Sequence, residues 1–313
     1  MQRPESNPNQ DTEHPLILYL KMSRFHFLAG GVLLYALGVG IARYLGNPVD
    51  WGAAVLGQLW VSTLQLSTHF LNEFFNGPTD QFNSNRTPFS GGSGAIGPGK
   101  LSPQVALYSA LALLGILASL TVVLLMQLRP APEAILIMSL ALLGAIFYST
   151  PPVRLEASGY GELTTSILIG FLLPAFGLVL QTGSLHRLVA MSGFPLVTLH
   201  IAMLIAFEMP DYANDMKFDK RTLLVRMGWQ NAMLLHNLMI LTSFLLVLVA
   251  LSFGFPTPIA IAALIPLPLG LLQIWQMRQI AVGKKPNWLA LTLTGLVLFA
   301  AVAYMQTYSF WVR

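Results

Sequence analysis

The stretch GQLWVSTLQLSTHFLNEFFN, Gly57 to Asn76, decides how this chain must fold. Among its apolar residues stand Gln58, Ser62, Gln65, His69, Asn72 and Asn76, spaced four, three, four, three and four apart. That spacing puts them on one face of a helix and leaves the other faces apolar. Polar side chains inside a bilayer are costly unless they point into a bundle or a wet cavity, so the stripe is expected to line an interior. For Gln58, Ser62 and Gln65 hydrogen bonding between helices accounts for the polarity. Asn72 and Asn76 fall at the mouth, where a functional reading is favoured.

Composition points the same way. The 313 residues are 55% hydrophobic and only 10% charged, with a mean hydropathy of +0.64. A soluble domain would carry roughly a quarter charged residues. Nine runs long enough to cross a bilayer occur at 25–45, 51–76, 104–128, 132–149, 163–182, 190–209, 230–254, 257–277 and 288–311. The expected fold is therefore all-α, a polytopic bundle of nine transmembrane helices forming one domain, 25–313, behind a polar tail, 1–24. The first run is too long for a cleaved signal segment. Without cysteine there are no disulfides.

Charge supports an orientation. Placing the N-terminus inside puts every Lys and Arg on the cytoplasmic side except Arg43, Arg129, Arg187 and Arg313. No basic stripe interleaved with aromatics appears, so no nucleic-acid partner is expected. The acidic residues follow the basic ones: only Asp50 and Glu133 fall outside, while Asp80, Asp211, Asp215 and Asp219 sit in two inside loops. Acids and bases opposed at one membrane face suggest an anion held through a metal.

The first of these loops continues the stripe. Asp80 lies four residues beyond Asn76, although Gly77 and Pro78 intervene and leave its direction open. Asn72, Asn76 and Asp80 can form an oxygen-rich patch of the kind Mg²⁺ prefers, or a plain Asn-Gly-Pro-Asp turn. The second loop reads EMPDYANDMKFDKRTLLVRMG, Glu208 to Gly228. Asp211 and Asp215 share a helical face with Asp219 continuing the row, and a bound cation would relieve their repulsion. Lys217, Lys220, Arg221 and Arg226 are placed to meet phosphate oxygens, unless the segment is a salt-bridged surface helix.

Taken together these motifs resemble the UbiA superfamily of intramembrane prenyltransferases, which carries N-x-x-x-D-x-x-x-D after its second helix and D-x-x-x-D after its sixth. Here the patterns read Asn72, Asn76, Asp80 and Asp211, Asp215. NRTPFSGG (85–92) and YSTPPVRL (148–155) are further matches, and GYGEL (159–163) with DKRTLLVRMG (219–228) look most like the naphthoate, or menaquinone, branch. Two departures stand out. Asn76 replaces the usual Asp, a lost charge that Glu73 could supply, and the family's Arg-Pro is Arg24-Phe25.

The resemblance implies transfer of a polyprenyl group from its diphosphate to an aromatic acceptor, with Mg²⁺ as cofactor, at the cytoplasmic face of the inner membrane. It assigns Asn72, Asn76, Asp80, Asp211 and Asp215 to Mg²⁺-diphosphate binding. Arg24, Arg86, Lys217, Lys220 and Arg221 become phosphate contacts. Tyr148 and Arg154 position the acceptor or the diphosphate unless they are interfacial anchors, and His69 acts near the acceptor. Ser90–Gly94 forms an anion nest or the hinge of a lid. His200 and His236 read as packing. Within the family, 1,4-dihydroxy-2-naphthoate is the expected acceptor, with another acceptor or prenyl cyclisation as alternatives. A drifted family member that binds isoprenoids without turnover is a further alternative, and a membrane transporter stands outside the family.

Overall fold

The computed structural model describes residues 13–313, and the expected tail's residues 1–12, Arg3 included, lie outside them. Among the described residues all regular structure is helical, with two isolated bridges, Thr87 to Ser90 and Ile96 to Leu101. The helices are α1 (Pro15–Ser23), α2 (Phe25–Tyr44), α3 (Trp51–Asp80), α4 (Pro103–Leu128), α5 (Pro132–Ser149), α6 (Gly161–Ile167) and α7 (Leu173–Thr182). There follow α8 (Arg187–Glu208), α9 (Tyr212–Lys217), α10 (Leu223–Met227), α11 (Trp229–Ser252), α12 (Thr257–Leu264), α13 (Leu267–Ala281) and α14 (Trp288–Trp311).

Eight stretches among the described residues are long and apolar enough to cross a membrane. Helix α3, at 30 residues, has the length, but its polar stripe keeps it out of that set. The last part of the expected polar tail is also different. PLILYLKMS forms α1, which starts on Pro15 and buries Leu18 and Met22 against Phe70 and Leu71 of α3. Its apolar residues find a groove there, and Arg24, at φ 46°, makes the break between α1 and α2.

Prolines act in contrasting ways. Pro78 stays inside α3, so the helix runs past Gly77 and keeps Asp80 one turn beyond Asn76. Pro266 instead divides the eighth expected span into α12 and α13. Another irregularity carries no sequence signal: Leu168–Leu172, between α6 and α7, is π-helical, and Leu168, Ile169 and Leu172 face the central cavity.

The bundle closes by packing α3 on α4, α11 on α8, and α2 on both α7 and α14. Small residues permit the tightest crossing. A Cβ on Gly38 would stand 1.9 Å from the Pro174 carbonyl oxygen, and one on Gly177 would stand 2.5 Å from that of Tyr35. Backbone therefore meets backbone where α2 crosses α7, the way membrane helices gain packing energy without a hydrophobic driving force.

Candidate active site

Helices α2, α3, α5, α7, α8 and α14 enclose a cavity of about 520 Å³. Its inner walls are apolar, including Leu34, Trp60, Leu64, Ile137, Phe176, Met203 and Phe299. Its mouth is polar, because the loop ends after α3, α5 and α8 converge there. The expected stripe is met in part. Gln65 donates to the Phe27 carbonyl of α2 (2.9 Å) while also lining the cavity, but the Gln58–Ser62 bond (2.9 Å) stays within α3, and Asn72 and Asn76 reach the mouth.

The five residues expected to hold Mg²⁺ all line this one cavity. Asp211 accepts from Asn83 Nδ2 at 2.7 Å and from the Gly91 N–H at 2.9 Å, which fastens the 81–102 loop over the mouth. Asp215 is 4% exposed, and among the described residues no side chain or N–H donates to its carboxylate. Asp219 does not continue the row: α9 ends at Lys217, Asp219 adopts φ 51°, and its carboxylate pairs with Arg221 at 3.1 Å on the surface. Among the described residues no three His, Asp or Glu side chains are close enough together to enclose an ion.

The expected phosphate contacts separate into inner and outer groups. Arg24 and Lys220 line the cavity; Lys217, Arg221, Arg86 and Arg154 do not. Lys217 lies over the rings of Phe82 (5.5 Å) and Phe218 (5.4 Å). Arg86 spends its guanidinium on the carbonyls of Gly91 and Asp80, both at 2.7 Å, so it braces the loop. Arg154, at φ 43°, is half-buried outside the cavity lining, with Nη2 3.9 Å from Glu156 Oε1.

Lys220 is the cation at the centre. Burial alone would lower its ammonium, but Glu156, Asp215 and Asp80 outweigh that and hold it above the ordinary lysine value. Backbone bonds place it, with Lys220 N–H on the Asp215 carbonyl (2.9 Å) and Arg221 N–H on that of Ala157 (3.3 Å).

Tyr148 and His69 line the same cavity. His69 Nδ1 meets the Ser23 carbonyl at 2.9 Å; a carbonyl only accepts, so Nδ1 carries the proton and Nε2 is left as an acceptor. His200 bonds Ser166 and His236 bonds Asn237, each at 2.9 Å, in keeping with packing. The expected nest is differently employed. Gly91 and Ser93 give their N–H groups to Asp211 and Glu73 at 2.9 Å each, and Gly92, at φ 75°, lets the chain pass where a Cβ would stand 2.6 Å from Asp80 Oδ2.

Sequence reasoning passed over the second acidic layer. Glu156, Glu162 and Glu208 also line the mouth, Glu162 accepting from the Leu223 N–H at 2.7 Å. Burial holds the Glu156 carboxyl above the usual range, with Lys220 and hydrogen bonds from Asn76 and Ser149 pulling it back. The signal was present in VRLEASGYGEL, where two glutamates flank a glycine-containing break between helices in an acid-poor sequence.

Glu73, the residue expected to make up for Asn76, serves elsewhere. It is 2% exposed and accepts from Arg24 Nη2 at 2.5 Å and from Ser93 N–H and Oγ at 2.9 and 2.7 Å. This buried ion pair ties α2 and the roof loop to α3. Glu73→Ala, which leaves Arg24 unpaired, is expected to destabilise the protein by about 3 kcal/mol, read as a lowered thermal unfolding midpoint in detergent.

The sequence profile of the UbiA prenyltransferase family matches residues 32–293. The chain belongs to the UbiA prenyltransferase family. Solved structures agree on the UbiA fold. A UbiA homologue from Archaeoglobus fulgidus bound to GPP and Mg²⁺ is 18% identical with a TM-score of 0.66, covering 95% of this chain and 100% of that one. A structure of digeranylgeranylglyceryl phosphate synthase is 17% identical with a TM-score of 0.63, covering 95% and 98%. An apo UbiA homologue from Aeropyrum pernix K1 is 14% identical with a TM-score of 0.60, covering 88% and 97%. A sequence search of the curated proteins found no match.

Proposed function

We propose that this UbiA-family chain transfers a polyprenyl group from polyprenyl diphosphate to 1,4-dihydroxy-2-naphthoate, in menaquinone-type quinone synthesis, with Mg²⁺ as cofactor. One observation carries the reading: a single cavity joins a carboxylate- and cation-lined mouth to an apolar interior. A diphosphate with a hydrocarbon tail has the same two halves. The donor set offers oxygen, as Mg²⁺ requires: Asn72 Oδ1 is shared with Arg24 Nη2 at 3.2 Å, and among the described residues no donor reaches the Asp215 carboxylate. Mg²⁺ is commonly held by one or two carboxylates plus substrate phosphates.

Asn72, Asn76 and Asp80 on α3, with Asp211 and Asp215 beside α9, would hold the metal in this reading. When bound, Mg²⁺ supplies charge neutralisation on the leaving diphosphate oxygens. Lys220 and Arg24 bring positive charge to those oxygens from within the cavity. As the C–O bond breaks, the electron pair leaves with diphosphate and an allylic cation remains. The faces of Phe89 and Phe207, ring centroids 6.2 Å apart, offer that cation a π surface. The naphthoate ring carbon then bonds to the prenyl carbon, and CO₂ departs, leaving its bonding pair with the ring. Water is excluded by the roof loop that Asp211, Glu73 and Arg86 hold down.

The acceptor rests on the GYGEL and DKRTLLVRMG segments, and the inner-membrane setting, with nine crossings and a cytoplasmic mouth, on the loop charges. With geranylgeranyl diphosphate, 1,4-dihydroxy-2-naphthoate and Mg²⁺, the purified protein is expected to release diphosphate and form prenylated naphthoquinol in equal amounts, and EDTA is expected to abolish both. Diphosphate without that product would overturn the acceptor; no release with any prenyl length would overturn the reaction.

A further inference from the structure

Glu156 occupies a position that the metal reading leaves unexplained. It sits on the short 3₁₀ turn Leu155–Ala157 and is 4% exposed. Its Oε2 accepts from Asn72 Nδ2 at 2.6 Å, Asn76 Nδ2 at 2.5 Å and Ser149 Oγ at 3.1 Å. Its Oε1 is buried with no hydrogen-bond partner among the described residues; the nearest cation, Arg154 Nη2, stands 3.9 Å away, beyond hydrogen-bond reach, and the residue lines the cavity. A buried carboxylate oxygen without a hydrogen bond is costly, and a long ion pair does not replace one, so the group calls for a ligand or an ion.

We propose that Glu156 is the carboxylate that Asn76 lacks: the site's negative charge has moved from helix α3 to the turn after α5, and Oε1 is the atom it presents to the Mg²⁺-diphosphate. The inference rests on the proposed function above. Three points support it. By the resemblance drawn from the sequence, Asn76 stands where an acid is expected, so α3 carries one charge fewer than that pattern. Glu73 cannot supply it, because Arg24 and Ser93 already occupy both its oxygens. The amide at 76 and the carboxylate at 156 also require each other. With Asp at 76, two carboxylates would abut where an N–H donor now lies 2.5 Å from Oε2, and with an apolar residue at 156 the NH₂ groups of Asn72 and Asn76 would lose their shared acceptor. Glu156 thus meets the ligand through Oε1 and positions the two asparagines through Oε2. By taking both amide NH₂ groups it fixes the Asn76 flip, so that Oδ1 points away from the turn.

A charge that has moved can be moved back. The probe is geranyl S-thiolodiphosphate, an unreactive substrate analogue, and the readout is the Mg²⁺ concentration at which it raises the thermal midpoint of the solubilised protein. Glu156→Gln, which keeps an acceptor for the two asparagines, is expected to raise that Mg²⁺ midpoint about tenfold. Asn76→Asp alone, with two acids in contact, is expected to lower the unfolding temperature of the metal-free protein. The double variant Asn76→Asp/Glu156→Gln is expected to return the Mg²⁺ midpoint to within about threefold of the parent, a coupling that independent residues would not show. An unmoved midpoint in Glu156→Gln, or a double variant that binds more weakly than that single one, would overturn the proposal. Should Glu156→Gln fail to fold, the double variant decides: recovery of folding and midpoint supports the exchange, and failure of either overturns it. If the parent protein ignores the analogue at every Mg²⁺ concentration, the proposed function itself falls; if the parent responds and the variants do not differ, only the role of Glu156 falls.

Discussion

Asp215→Asn is expected to lower kcat/KM for prenyl transfer by about a thousandfold, with the thermal midpoint of the metal-free protein essentially unchanged. The separation of the two effects follows from the geometry. Asp215 is buried at the cavity mouth, and no protein donor reaches its carboxylate among the described residues, so its charge faces the site and not the fold. Asp211 would be a poorer choice, because its oxygens also hold Asn83 and Gly91, and its loss would loosen the roof. The same substitution at Asp219, whose side chain is 82% exposed and paired with Arg221, is expected to change the rate by no more than about twofold. Steady-state kinetics on both variants, with melting curves, check the pair. Retained activity in Asp215→Asn would remove this aspartate from the metal site.

The second large effect is expected at Lys220. Lys220→Met keeps an unbranched side chain one atom shorter and removes the charge. Glu156, Asp215 and Asp80 then face one another without the cation that offsets them, and the leaving diphosphate loses its central positive contact. A fall in kcat/KM of about a hundredfold or more is expected, with KM for the prenyl diphosphate rising. In the absence of Mg²⁺ the variant should also melt earlier, and added Mg²⁺ should restore more of its stability than in the parent, since the ion takes over the role of the ammonium. Lys217→Met is the contrasting case. Its ammonium lies over Phe82 and Phe218 outside the cavity, and an effect within about twofold is expected. Equal losses at both lysines would show that general surface charge, and not the central cation, serves the diphosphate.

The two lysines show where reading the sequence stops. Lys217, Lys220 and Arg221 are near neighbours in one basic run, and nothing in their order tells which faces inward. The turn at Asp219 and the backbone bonds of Lys220 and Arg221 make that choice, sending Lys220 into the mouth and the others to the surface. Arg86 is similar. Its motif marked it as a phosphate contact, yet the loop folds back and claims its guanidinium for carbonyls. The glutamates were missed for the opposite reason. Glu156 and Glu162 belong to no spacing pattern with the aspartates, and only the docking of the α5–α6 turn onto α3 makes them neighbours.

Periodicity and composition alone determined the membrane bundle, the inward stripe of α3 and the two aspartate motifs, because hydrocarbon allows little besides apolar helices and penalises every polar group left facing it. Loop charge further led to the expectation that the two motifs share one side, and the structure brings Asn72, Asn76, Asp80, Asp211 and Asp215 to one cavity. Tertiary structure decided the rest: that Pro78 is absorbed into α3 while Pro266 breaks its helix, that Glu73 is taken by Arg24, and that Glu156 lies against Asn72 and Asn76. The physical reason is the reach of the interactions. Burial in a bilayer acts on each helix separately and leaves a local record, whereas a hydrogen bond across 80 residues between Asn76 and Glu156 exists only after the loops have docked.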